Sequence, residues 1–87
     1  MSAITEQIRE HRLAHCAIHA SLGAALIALE DAEREAATEG GAALAHEAMQ
    51  DACLGLEKAA DDLAALITAA AVTAQLLAPA GQDPTAA

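Results

Sequence analysis

The feature that most restricts the fold is the absence of proline from residues 1–78. Alanine, leucine and glutamate, which are strong helix formers, dominate this stretch. Its one strong interior break is TEGG at 38–41, where paired glycines permit the positive φ angles that end a helix and reverse the chain. Pro79 cannot continue a helix. We therefore predict an all-α fold with helix 1 over about 3–38, a turn at 39–41, helix 2 over about 42–78 and a flexible C-terminal tail at 79–87.

Apolar residues at alternating steps of three and four run along both helices, which is the pattern of a coiled-coil seam. On helix 1 the row is Ile4, Ile8, His11, His15, Ile18, Leu22, Ala25, Leu29, Ala32 and Ala36. On helix 2 it is Ala42, Ala45, Met49, Ala52, Leu56, Ala59, Leu63, Leu66, Ala70, Thr73 and Leu77. The pattern predicts a long antiparallel two-helix hairpin. The large side chains that we expect in the hairpin or dimer seam are Ile18, Leu22, Leu29, Leu56, Leu63 and Leu66.

Further apolar surface lies outside this row. Residues 13–29 contain no Asp, Glu, Lys or Arg, and neither do residues 63–80. A lone hairpin would leave both stretches in water, and exposed apolar surface of that extent usually marks an interface. We expect two copies to cover each other as a homodimer that forms a four-helix bundle. Gly23 and Gly55 lie at similar heights in the hairpin, so we expect the two backbones to approach closely there.

The two uncharged stretches also approach the length of a membrane span, which needs about 20 mostly apolar residues. The first contains His15, His19 and Ser21, and the second is rich in Ala and Thr and ends at Pro79. Membrane insertion is therefore not the favoured interpretation. The mixed-charge start MSAITEQIRE lacks a signal-peptide pattern, so we expect a cytoplasmic protein with both of its cysteines reduced.

The charge balance restricts the partners. Four Lys and Arg against 13 Asp and Glu give a formal net charge of −9, which repels phosphate backbones, so we expect no direct nucleic-acid binding. Five carboxylates near the turn are candidates for docking a basic partner protein: Glu30, Asp31, Glu33, Glu35 and Glu39. Two alternatives stay open for the acidic surface, namely imitation of nucleic acid and simple solvation.

Helix 1 carries three histidines at intervals of four residues: His11, His15 and His19. A pair at i and i+4 chelates one transition-metal ion, but the three span about 12 Å, so one chain offers at most a two-ligand site. A closed tetrahedral zinc site would need ligands from a second subunit. The competing interpretation is electrostatic, because a simple hairpin register places His19 beside Asp62 and His46 beside Glu35. We favour this second role and expect no cofactor.

No catalytic constellation is apparent in the sequence. Cys16 has His19 at helical contact spacing but no third residue to orient it, and the sequence contains neither a Gly-rich phosphate loop nor a nucleophile elbow. We predict a non-enzymatic protein that self-associates and binds another protein as an adaptor, regulator or inhibitor. The alternative is a metal-binding or metal-sensing helical bundle that uses the histidine row.

Overall fold

The computed structural model describes residues 3–78 of the chain. It contains two α-helices, α1 (Ala3–Ala36) and α2 (Ala42–Leu77), which pack against each other as an antiparallel hairpin. The all-helical hairpin predicted from the sequence is therefore confirmed. α1 ends two residues earlier than expected. The predicted tail at 79–87 lies outside the described residues.

The turn between the helices depends on two glycines with different constraints. Gly40 has a φ of 79°, which L side chains rarely adopt. Gly41 is buried, and a β-carbon on it would overlap the carbonyl oxygen of Glu35. The Gly41 N–H donates to the Thr38 carbonyl at 3.0 Å, and the Gly41 carbonyl accepts from the Ala45 N–H at 2.9 Å, which begins the hydrogen bonding of α2. The GG pair thus fits the only backbone path that this turn permits.

The buried positions of the seam between α1 and α2 repeat every seven residues on each helix, as each seam position of a coiled coil does. Its buried residues are Ile18, Ala25 and Ala32 of α1 with Ala52, Ala59 and Thr73 of α2. These positions belong to the predicted row. The intervening positions of the row do not lie in the seam. They are replaced by half-buried residues one position earlier, among them Gln7, Ala14, Ser21, Ala28 and Glu35 of α1 and Ala48, Gly55 and Asp62 of α2.

Small residues in the seam let the two backbones approach closely. A β-carbon built on Gly55 would lie 3.3 Å from the β-carbon of Ala25 and 3.7 Å from the carbonyl oxygen of Ser21. The predicted close approach is thus present at Gly55. At Gly23 the expectation is wrong, because nothing lies within 4 Å of the position that a β-carbon would occupy. Gly23 faces open space beside the seam, so only one helix is thinned at this height.

A polar cluster closes the seam at the end of the hairpin opposite the turn. Thr73 is buried, and its Oγ1 lies 2.8 Å from His11 Nε2, 3.2 Å from the Ala69 carbonyl oxygen and 3.5 Å from Gln7 Oε1. A hydroxyl donates one hydrogen. The cluster is satisfied when Thr73 donates to Ala69 and accepts from the N–H of His11. Thr73 thereby joins α2 to α1 by a hydrogen bond in a seam that is otherwise mostly alanine.

One hairpin leaves more surface in water than a compact protein of its mass. It exposes 6430 Å², whereas a compact monomer of 8.7 kDa exposes roughly 4,700 Å². Its radius of gyration is 19.5 Å, against about 12 Å for a globular chain of this length. Within residues 3–78, Ile18 is the one large aliphatic side chain that is buried. The hairpin therefore has a seam but very little core.

Candidate functional site

Six large apolar residues of the hairpin form a surface beside the seam, which we call the leucine face. It consists of Ile8, Leu22 and Leu29 of α1 with Met49, Leu56 and Leu63 of α2, each four residues after a buried or half-buried seam residue. Leu22, Leu56 and Leu63 line one groove along the seam, and Leu29 and Met49 line another nearer the turn. The six side chains are between 36% and 47% exposed. These six residues are thus only partly covered in the hairpin, and nine further large apolar residues outside this set, among them Leu13, Leu44 and Leu54, are also exposed.

The opposite side of the hairpin is charged, and we call it the polar face. The groove near the turn is lined by charged side chains and by Leu44: Asp31, Arg34, Glu35, Glu47 and Asp51. The groove farther from the turn is lined by Glu10, His11 and Asp62 among alanines and Leu66. Lys58 donates to Asp62 at 3.1 Å, and Arg34 pairs with Asp31. Water is therefore the natural neighbour of this face.

This geometry corrects part of the predicted hairpin seam. Ile18 is buried in the seam and Leu66 is half-buried, as expected. Leu22, Leu29, Leu56 and Leu63 are exposed on the leucine face, so their placement in the seam of the hairpin itself is wrong. The physical reason is that α1 and α2 are each rotated so that the smaller residues of the pattern, not the larger ones, face the neighbouring helix. These four leucines remain predicted members of a dimer seam.

The histidine row does not converge on one point. His11 lies half-buried at the seam and is engaged by Thr73, whereas His15 and His19 are exposed. The ring centroids of His15 and His19 are 6.4 Å apart. No group of three or more His, Cys, Asp or Glu side chains placed to hold a metal ion occurs within residues 3–78. Each chain thus offers two neighbouring imidazoles as possible ligands.

The expected histidine–carboxylate pairs do not form. Within the described part of the chain, His19 makes no hydrogen bond or ion pair with Asp62, which is paired with Lys58. His46 lines the groove of the leucine face near the turn, whereas Glu35 lines the groove of the polar face. The simple register predicts which residues lie at the same level along the hairpin. It does not predict the side of each helix on which a residue lies, and these histidines and carboxylates lie on different sides.

The five carboxylates predicted as a docking site surround the turn end of the hairpin. Glu30, Glu33 and Glu39 are exposed, and Asp31 and Glu35 are half-buried on the polar face. Arg34 is the one cation among residues 30–51, and it pairs with Asp31. Negative charge is therefore concentrated at one end of the molecule.

The two cysteines, Cys16 and Cys53, are both exposed and free. Neither lies in a core position, where a free cysteine is often found.

Both helices contain a stretch long and apolar enough to cross a membrane. In the hairpin, Ala25 lies beside Gly55 and Gln7 beside Thr73, so residues at the same level have numbers that add to about 80. The uncharged residues 13–29 are therefore level with residues 51–67, which include five charged side chains. The longest continuous run of levels at which both helices are uncharged covers about five residues, or roughly 8 Å, against a hydrocarbon core of about 30 Å. In this register the packed hairpin offers no uncharged span of bilayer thickness.

No protein-family model, curated protein or solved structure matches this chain.

Proposed function

We propose that this chain is a non-enzymatic protein that pairs with a second copy through the leucine face, forming a four-helix bundle, and that the dimer binds another protein. The observation that carries this proposal is the separation of side chains in the hairpin. Six large apolar residues lie partly exposed together on the leucine face, and the grooves of the opposite face are lined mainly by charged residues and alanines. A second leucine face is the simplest surface that matches the first in both shape and polarity.

The size of the leucine face agrees with a stable dimer. A helix of 34 residues is about 50 Å long, and two helices packed 8–10 Å apart present a strip about 20 Å wide, which gives roughly 1,000 Å² per copy. Specific protein interfaces bury about 800 Å² per partner. The surface that the hairpin exposes beyond that of a compact monomer is of the same order. Pairing would therefore remove about 2,000 Å² from solvent in total, which is part of the surface by which two separate hairpins exceed a compact protein of the same mass.

Binding of another protein is supported by the surface that such a dimer leaves free. The carboxylates at the turn would remain in solvent, where they attract a basic surface over a distance of about 8–10 Å. On the outer side of α1, Leu13 and Ile27 are 58% and 61% exposed, and they lie away from the leucine face. Charge beside apolar side chains is a composition suited to protein contacts, and the bundle would then act as an adaptor, regulator or inhibitor.

Sedimentation velocity over 1–500 μM protein, with two matched leucine variants, tests the pairing. Leu56→Asp places a carboxylate on the leucine face of both copies, and we expect the dissociation constant to rise at least 100-fold because the charge must lose its water. Leu44→Asp makes the same change on the polar face, and we expect less than a threefold effect. A wild-type monomer at every concentration, or equal effects of the two variants, would contradict the proposal.

A further inference from the structure

We propose that the second copy docks on the leucine face head to tail, with its acidic turn over the open end of the first hairpin. This inference rests on the proposed pairing and adds its direction. Two flat hairpins that meet face to face have two symmetric arrangements. In one, both turns lie at the same end of the bundle, and in the other they lie at opposite ends.

The distribution of charge along the hairpin favours opposite ends. Residues 30–51, around the turn, contain seven carboxylates and one guanidinium, which gives a charge of −6. Residues 3–29 contain Glu6, Arg9, Glu10 and Arg12, which sum to zero, together with three histidines. Residues 63–77, which lie beside residues 3–17, contain no charged side chain, and residues 52–62 in the middle of the hairpin carry Glu57, Lys58, Asp61 and Asp62, with a net charge of −2. One end of the molecule is therefore strongly acidic and the other is neutral.

Docking with both turns at one end would place both acidic ends at the same end of the bundle, where neighbouring helix axes are about 8–10 Å apart and the Glu33 side chains, which line a groove of the leucine face, are nearest the interface. At about one Debye length, physiological salt weakens the repulsion between exposed charges but does not remove it. Head-to-tail docking moves the acidic ends to opposite ends of the bundle. Each then lies over the partner's open end, where the charges of residues 3–29 sum to zero.

The position of the leucine face fixes the centre of this dimer. Because level residues have numbers that add to about 80, residue 20 of α1 and residue 60 of α2 mark the middle of the hairpin. The groove formed by Leu22, Leu56 and Leu63 lies at that height. In the head-to-tail dimer the twofold axis passes through this point, perpendicular to the helices and parallel to the leucine face. It places α1 of one copy over α1 of the other. The two His19 residues, each one position from the centre, then lie about 3 Å apart along the bundle.

The alternative dimer has a different geometry at the same residues. When both turns lie at one end, α1 crosses over α2 of the second copy, and the two His19 residues are separated by the width of the hairpin. Ala37, next to the turn, is 17 residues from the centre of α1. Its two copies are therefore about 50 Å apart in the head-to-tail dimer and less than about 25 Å apart in the alternative.

Distances between spin labels separate the two arrangements. In a Cys16→Ala, Cys53→Ala background, Ala37→Cys carries the label, and sedimentation of the labelled sample establishes that it is dimeric. We expect a distance near 50 Å. A distance below 25 Å in a dimer would overturn the head-to-tail arrangement and leave the proposed pairing intact. A monomer at all concentrations would overturn both.

Disulfide formation gives a second measurement in the same background. We expect His19→Cys to form a disulfide between copies under mild oxidation, because the two residues meet near the axis. Ala17→Cys is the matched control, since it lies at nearly the same height but lines the polar face. Crosslinking through position 17 as fast as through position 19 would contradict the proposed geometry.

Discussion

The seam between α1 and α2 and the leucine face beside it are both apolar, but they are built from side chains of different size. In the seam, alanine occupies four of the five buried apolar positions, and Ile18 is the exception. On the leucine face, leucine, isoleucine and methionine lie at the same sevenfold spacing and remain about 40% exposed. Small residues thus bring the two helices of the hairpin together, and the large residues of the leucine face are left partly exposed.

The largest effect is expected when a large side chain is placed in the seam, because the seam should have no space for it. Ala52 is completely buried, and Ala52→Leu would force the helices apart, so we expect a loss of about 1–3 kcal/mol in the free energy of unfolding. Ala60→Leu adds the same atoms in the groove of the leucine face, where there is space, and we expect no loss of stability and a tighter dimer. Urea unfolding followed by circular dichroism at fixed protein concentration measures both. Equal losses would show that seam and face do not differ in packing.

The polar end of the seam permits a finer test with two threonines of α2. Thr73 and Thr68 each donate to the carbonyl oxygen four residues earlier, at 3.2 Å and 3.1 Å, but only Thr73 also meets His11. We expect Thr73→Val to cost about 1 kcal/mol, the net value of one hydrogen bond. Thr68→Val should change stability by less than half of that, because Thr68 is exposed. A Thr73→Val variant as stable as the wild-type protein would mean that the contact with His11 contributes nothing to the seam.

The smallest effect is expected at the two glycines inside the helices. Gly23→Ala should raise stability by about 0.5–1 kcal/mol, because alanine is the better helix former and the space is open. Gly55→Ala gains the same propensity but places its β-carbon 3.3 Å from that of Ala25. The helices must then move apart slightly, so we expect a smaller gain or a loss. Thermal unfolding distinguishes the pair, and a larger gain at position 55 than at 23 would argue against the close approach.

The helices and the turn could be predicted from sequence because their causes are local. The absence of proline and the GG pair restrict the backbone whatever the helices pack against. The every-seventh positions, such as Ile18 and Ala25, could also be predicted from the period of the pattern. The sequence did not predict which flank of this row packs against the other helix. Apolar residues flank the row on one side and small or polar residues on the other, and the usual preference for large residues in a seam favours Leu22 over Ser21.

Backbone proximity decides that choice in the structure. With Gly55 against Ala25, the helices lie too close for leucine on both sides of the seam, and Ser21 and Asp62 take the flanking positions because their polar groups reach solvent. The same rotation explains why His46 and Glu35 are on opposite faces. A sequence pattern reports which residues share a helix stripe, whereas the distance between the two axes depends on contacts across the chain.

The alanine seam also has a consequence for the lifetime of the protein in a cell. We expect a solitary hairpin held by such small side chains to open more readily than one with a leucine core, and an open chain is a substrate for proteases. When association stabilises the folded state, the fraction that is protected rises with the number of molecules present. The protein would then be degraded quickly at low concentration and slowly at high concentration. The use of alanine instead of leucine between the two helices would thus make the degradation rate depend on the concentration of the protein itself.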